Sequence, residues 1–208
     1  MKRLLIALTI FIAVTVAALF PALKPVEASD KQQAAAQTDA QANSTAGDYC
    51  VSVGGEVDNR QPYYNTNDAE QDWLRLSGSR FFCKFTSAED GSRIHVELST
   101  LYTTKPSLAA LAYYAEVQLG SCNGNPASCY CTQLGGSDSF GGINAAGGGW
   151  VQKSDPVDTV LEACIFPDMS SIDSWGLAYH SVGIIRGADL DGLLRYPNPY
   201  AAKKSNKK

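Results

Sequence analysis

The side chains of this chain that could carry chemistry are two histidines, six cysteines and a scatter of hydroxyls and carboxylates. A histidine-based hydrolase needs an imidazole within reach of a nucleophile. His95 sits opposite the apolar face of the alternating run Ile94, Val96 and Leu98, which reads as a solvent-side position on a strand. His180 follows Trp175-Gly176-Leu177-Ala178-Tyr179 and falls on the face opposite Trp175 and Tyr179. Ser139 and Ser181 offer hydroxyls, but no Gly-x-Ser-x-Gly elbow is present. No catalytic residue is therefore assigned. His180 is a candidate binding residue, and either histidine is the base of an alternative, hydrolase reading.

Metal and phosphate chemistry find weaker support. The closest cysteines, Cys129 and Cys131, are separated by one residue, and no Cys-x-x-Cys pair exists for zinc. Asn65-x-Asn67-Asp68-x-Glu70-x-Asp72 gathers oxygen ligands as a calcium loop does, without the mid-loop glycine and spacing of an EF-hand, so it reads as a solvated acidic loop. Gly141-Gly142 and Gly147-Gly148-Gly149-Trp150 lack the Gly-Lys-Ser or Gly-Lys-Thr of a phosphate cradle and read as a flexible hairpin loop presenting Trp150. Neither a metal nor a cofactor is assigned. Aromatic residues in loop-like or terminal sequence remain: Tyr63, Tyr64, Trp73, Trp150, Tyr196 and Tyr200. At loop tips such side chains suit a protein or glycan partner, and Trp150, Trp73, Tyr63, Tyr64 and His180 are the candidate binding residues.

The cysteines need elements that bring them together, and an internal repeat supplies these. Tyr49-Cys50-x-x-x-Gly54-Gly55 returns 81 positions later as Tyr130-Cys131-x-x-x-Gly135-Gly136, and Cys83-x-Phe85 returns as Cys164-x-Phe166. Ala46, Cys50 and Val53 form one helical stripe, matched by Ala127, Cys131 and Leu134. Ser44 and Asn125-Pro126 mark the helix starts, and Gly54 and Gly135 the stops. Phe81, Cys83 and Phe85 alternate as on a strand, and Ile94, Val96 and Leu98 match Trp175, Leu177 and Tyr179 at the same offset as a second strand.

Each copy then reads as a short helix tied to an antiparallel sheet, Cys50 to Cys83 and Cys131 to Cys164, leaving Cys122 to pair with Cys129. Six cysteines allow 15 connectivities, and the repeat selects this one. The fold class expected is α+β, with two tandem small modules. A connector helix opening at Thr103-Thr104-Lys105-Pro106, with Leu108, Leu111 and Ala115 on one side, lies between them.

Export follows from the first residues. Met1-Lys2-Arg3 and the apolar run Leu4 to Phe20 have the layout of a signal peptide, with small residues at the cleavage positions of Val26-Glu27-Ala28. An uncleaved anchor is the alternative. Six cysteines suit an oxidising compartment, either the periplasm or the exterior. The chain after residue 28 has 14 basic and 20 acidic residues, a net charge of −6 that excludes an ordinary nucleic-acid binder. The expected organisation is a signal peptide over 1–28, a disordered leader over 29–46, module 1 over 47–103, a connector helix over 104–121, module 2 over 122–196 and a basic disordered tail over 197–208. After cleavage, no membrane insertion is expected.

The second copy, Asn125-Pro126-Ala127-Ser128-Cys129-Tyr130-Cys131 with Gly135-Gly136, Cys164-Ile165-Phe166-Pro167-Asp168 and Trp175, resembles a bacterial small-domain family. That family is catalogued as domain of unknown function 333, and many members are labelled hemolysins. The resemblance covers residues 122–180 best, with Met169 where the family usually has glycine. It implies a fold and an envelope location and carries over no catalytic residue. A lytic role would need a long apolar hairpin or a strongly amphipathic basic helix, and neither is present after residue 28. Sequence alone thus points to an exported, disulfide-stabilised, non-enzymatic binding protein of the bacterial envelope or exterior. The alternatives are an envelope hydrolase and a structural or stress-related envelope protein.

Overall fold

The computed structural model describes residues 44–138 and 147–201. The expected signal peptide, most of the leader, Ser139, Gly141-Gly142 and the basic end of the tail lie outside these residues. Helix α1 covers 44–52, so Ser44 and residues 45 and 46 of the expected leader are already helical. Strands β1 (Glu56–Tyr64), β2 (Leu74–Arg75), β3 (Arg80–Thr86) and β4 (Arg93–Glu97) follow, then helices α2 (Leu98–Tyr102) and α3 (Leu108–Ala115). The second copy contributes α4 (Pro126–Gln133), β5 (Gly148–Val151), β6 (Val160–Leu161), β7 (Ala163–Ile165), β8 (Ser171–Asp173) and α5 (Ser174–His180). The fold is α+β, and all the described residues belong to one unit spanning 38–208.

All three disulfides pair as the repeat argument selects: Cys50–Cys83, Cys131–Cys164 and Cys122–Cys129. They fit a chain exported to an oxidising compartment. The repeated glycines have separate physical roles. Gly54 and Gly135 end α1 and α4 at φ 88° and 86°, the left-handed region where a side chain is strained. Gly55 and Gly136 sit where a Cβ would collide with the sulfurs of Cys83 and Cys164 respectively. One glycine of each pair turns the chain, and the other makes room for the disulfide.

The copies do not stand apart as tandem modules. The strand order is β6-β5-β1-β3-β4-β8-β7, with β2 paired beside β1. Cys83 faces Val96, Cys164 faces Ile172, and Val96 faces Ile172 where β4 meets β8, so the copies share one sheet. The two ends of the order, β6 and β7, are separated in sequence only by Glu162. The sheet therefore curls into a nearly closed barrel. Outside it, Cys83, Phe85, Ile94, Val96, Cys164, Phe166 and Ile172 pack under the helices in the larger apolar core. Inside it, Phe82, Trp150, Leu161 and Ala163 form a smaller one.

Several expectations are corrected here. Trp175, Leu177 and Tyr179 lie on helix α5, because Asp173 accepts hydrogen bonds from the backbone N–H groups of Trp175 and Gly176 and starts a helix. The loop between β7 and β8 is shorter than its counterpart, which shifts the match to Ile94 and Val96. Met169 takes the tight turn there at φ 67°, a conformation in which glycine is unstrained. The connector helix starts at its Ser107 cap, and its buried face is Ala109, Ala110, Ala112, Tyr113 and Tyr114. Leu108 is exposed, because the alanines allow close approach and both tyrosine hydroxyls find partners, Tyr113 on Asp189 and Tyr114 on the Tyr196 carbonyl. The tail is ordered through 201, with Tyr196 and Tyr200 packed against the core.

Candidate functional site

Two polar features stand out: a charge network inside the barrel and an open cleft beside it. The network follows from strand alternation, since cross-strand partners share a face. On β1, Asp58 and Arg60 pair with Phe82 and Arg80 of β3, and Lys84 pairs with His95 of β4. All of these point into the barrel. The β5–β6 loop adds Asp155, whose carboxylate accepts from the backbone N–H groups of Val157 and Asp158.

Arg60 is 0 % exposed and sits at the centre. Its Nε donates to Asp58 at 2.6 Å, its Nη1 to the carbonyls of Trp150 and Asp158, and its Nη2 to Asp155 at 3.3 Å. Arg93 also donates to Asp155, at 2.7 Å, and Lys84 lies 3.6 Å from it. Burial disfavours the charged form of Asp155, but the hydrogen bonds from Asp158, Arg93 and Val157 outweigh this and hold its pKa well below the usual carboxylate range.

His95, expected at a solvent-side position, is fully buried because the polar face of β4 is the barrel interior. Its Nε2 lies 3.3 Å from Asp58 and its Nδ1 3.8 Å from Asp173. Burial opposes the imidazolium, yet the carboxylates of Asp173 and Asp58 prevail and the pKa is raised. For Asp58, too, burial is outweighed, by His95 and Arg60, and its pKa is lowered.

Asp58, His95 and Asp155 can bring ligand atoms within 4.8 Å of one another, the spacing of a metal site. The Arg60 guanidinium already stands among them, donating to Asp58 and Asp155 with its Nη2 3.3 Å from His95 Nε2. The two carboxylates fit the fixed fork of arginine.

These shifts predict how stability depends on pH. A raised histidine pKa contributes stability fully below about pH 6.5 and loses it as pH rises through the folded value. Lowered aspartate pKa values contribute above about pH 3.9 and lose it as pH falls towards theirs. Urea midpoints should therefore peak between about pH 4 and 6.5, and His95→Gln should flatten the alkaline limb. An alkaline limb of unchanged slope would mean that His95 does not hold its proton.

The predicted binding residues do not form one site: only Tyr63, Tyr64 and Trp73 come together. Trp150 is in β5, 9 % exposed, with its ring 6.1 Å from Phe82 and the Arg80 guanidinium over it at 5.2 Å. Gly148 and Gly149 before it belong to strand β5 instead of a loop, and Gly149 lies against Val160 and Leu161. His180 is also buried, stacked at 3.7 Å on Tyr113 with Glu116 at 3.5 Å. Tyr63 and Trp73 meet edge to face at 6.1 Å, half-buried, and the Trp73 indole donates to the Asp68 carbonyl. Tyr64 ends β1 nearby. In the acidic loop, Glu70 is engaged by Lys153 at 2.7 Å.

The cleft has a volume of about 1260 Å³. Its lining includes the Cys122–Cys129 turn and residues of α4, β6 and α5, with Glu162. Asn125 caps α4 with its oxygen and donates its Nδ2 to Glu162. Burial and the nearby Asp138 charge push the Glu162 pKa up. Trp175 and the exposed Tyr179 form an aromatic ledge, with the Arg186 guanidinium 5.3 Å over the Tyr179 ring.

Sequence reading missed Asp58, Arg60, Asp155 and Asp173. The alternation of opposite charges at Asp58 and Arg60 was the available signal. It also missed Asp138 and Glu162, which no motif marks. Among the described residues, no helix is long and apolar enough to cross a membrane. Comparison with protein families, curated proteins and solved structures finds no match to this chain.

Proposed function

We propose that this is an exported, disulfide-stabilised, non-enzymatic binding protein of the bacterial envelope or exterior, and that its protein or glycan partner enters the cleft beside Trp175. The observation that carries this reading is the cleft itself, an aromatic ledge facing polar side chains in a rigid, disulfide-clamped frame. Clefts of this size with a few convergent polar groups are where ligands bind. The cleft is also built where the copies differ. At the 81-residue offset, Asp138 replaces Val57 and Glu162 replaces Phe81. The resemblance to the envelope family of unknown function belongs to the same proposal.

The hydrolase alternative has less behind it. Both histidines are buried in contacts with carboxylates, and the Ser181 hydroxyl donates to the Ala178 carbonyl. A photoreactive phenylalanine analogue at Tyr179, in cells exporting the full chain, should give a discrete crosslinked adduct. The same analogue at exposed Val51, away from the cleft, should give none. Equal labelling at both positions, or none at Tyr179, would count against the cleft as the binding site.

A further inference from the structure

We infer that the cleft binds a cation: a primary ammonium or guanidinium group on an apolar stem, held by Asp138 and Glu162 with the stem against Trp175. The inference rests on the cleft being the binding site and names the chemistry it recognises.

The first argument is charge. Five carboxylates line the cleft, those of Asp90, Asp138, Asp158, Glu162 and Asp173, against the single cation Arg186 among the described residues. Three of the five are already engaged: Asp90 by the Ser92 backbone N–H, Asp158 by Arg93, and Asp173 by the start of α5 and His95. Arg186 stacks on Tyr179. Of the carboxylates with no ion-pair partner among the described residues, Asp138 and Glu162 are the two beside Asn125 and Trp175, and Asp90 is held by the Ser92 turn.

The second argument is independent of charge. Asp138 is 8 % exposed, and its Oδ2 is buried with no hydrogen-bond partner among the described residues. A buried acceptor left unpaired is costly, and the remedy is a donor supplied from the cleft. Its position is set firmly, because the preceding Ser137 exchanges two 2.9 Å backbone hydrogen bonds with Ile165.

The third is that Glu162 is held beside Asp138 instead of being free to swing away. Asn125 donates to both of its oxygens, at 3.4 and 3.2 Å. Burial and the Asp138 charge push the Glu162 pKa up, and an ammonium or guanidinium beside that carboxylate offsets the cost of its charge. Trp175 supplies a flat surface for the methylene stem and a ring face for the cationic head. A neutral sugar would satisfy the lone acceptor but leave the paired charges uncompensated, so the cation is the better fit.

The test follows the Trp175 indole resonance of the oxidised full-length mature chain by NMR, assigned with Trp175→Phe, at low ionic strength. Cadaverine represents a free amine, the peptide acetyl-Ala-Lys-Ala-amide a side chain on a protein, and chitotriose a neutral glycan. Cadaverine or the peptide should shift the resonance saturably, and the tighter of the two identifies the natural source. Asp138→Asn, which keeps the shape and removes the charge, should weaken that binding by about tenfold or more. Added salt should weaken it too. Melting curves verify that this variant folds, and Glu162→Gln serves in its place if it does not. Binding that is equal in wild type and variant overturns the inference. A shift with chitotriose alone overturns it as well, while leaving the cleft as a binding site. Silence with all three probes overturns both.

Discussion

Replacing Arg60 with methionine is expected to cost about 3–5 kcal/mol of folding stability, the largest single-residue effect in the molecule. The guanidinium is fully enclosed, and its donors serve Asp58, Asp155 and two backbone carbonyls at once. Methionine fills similar space but leaves the Asp58 and Asp155 carboxylates, 2 % and 4 % exposed in their side chains, without their central partner. Breaking a buried pair costs more than the pair itself contributes, because the stranded charge keeps its full desolvation penalty. The urea midpoint should fall steeply, and the double variant Asp58→Leu with Arg60→Met should recover part of the loss. Arg75→Met, which removes an exposed contact to Gln61, is the control and should stay within about 0.5 kcal/mol of wild type. A shift for Arg60→Met no larger than that of the control would refute a structural role for the network.

The second large effect concerns the repeated disulfides. Cys50–Cys83 and Cys131–Cys164 each close a span of 33 residues, and losing either by paired Cys→Ala substitution should cost about 3–4 kcal/mol. Cys122–Cys129 spans only 7, so its loss should cost nearer to about 2.5 kcal/mol. The glycine beside each long staple gives a sharper check. Gly136→Ala puts a methyl against the Cys164 sulfur. It should destabilise the oxidised protein by about 1–3 kcal/mol and have much less effect in the Cys131→Ala, Cys164→Ala background. Equal effects in the two backgrounds would show that the glycine is kept for some other reason.

The local parts of this fold were legible because their determinants are local. Asn125-Pro126 caps α4, Gly54 and Gly135 stop the helices, and the equal 33-residue spacings select the disulfides. The candidate site was less legible. Trp150 in a glycine run looks like a loop tip, yet Gly149 is where β5 needs room against β6, and the indole turns inward. Trp175 and Tyr179 have the right spacing for a strand or a helix, and only the Asp173 cap decides between them.

What the sequence by itself determined is a repeated cysteine and glycine pattern that pairs into three disulfides, and strands whose alternate residues share a face. What only the tertiary structure decided is which face is inside. Period-two alternation puts Asp58 with Arg60, and His95 opposite Ile94 and Val96, but it carries no sign. In an open sheet over one core those polar faces would meet water. Here β4 joins the copies through β8, and the chain returns on itself between β6 and β7 across Glu162. The sheet curls until it is nearly closed, and the polar face becomes the interior. Closure depends on pairings between residues 76 to 90 positions apart, and those are set by the energy of the whole barrel and by no local pattern. The same closure brings Asp138, Glu162 and Trp175 to one cleft.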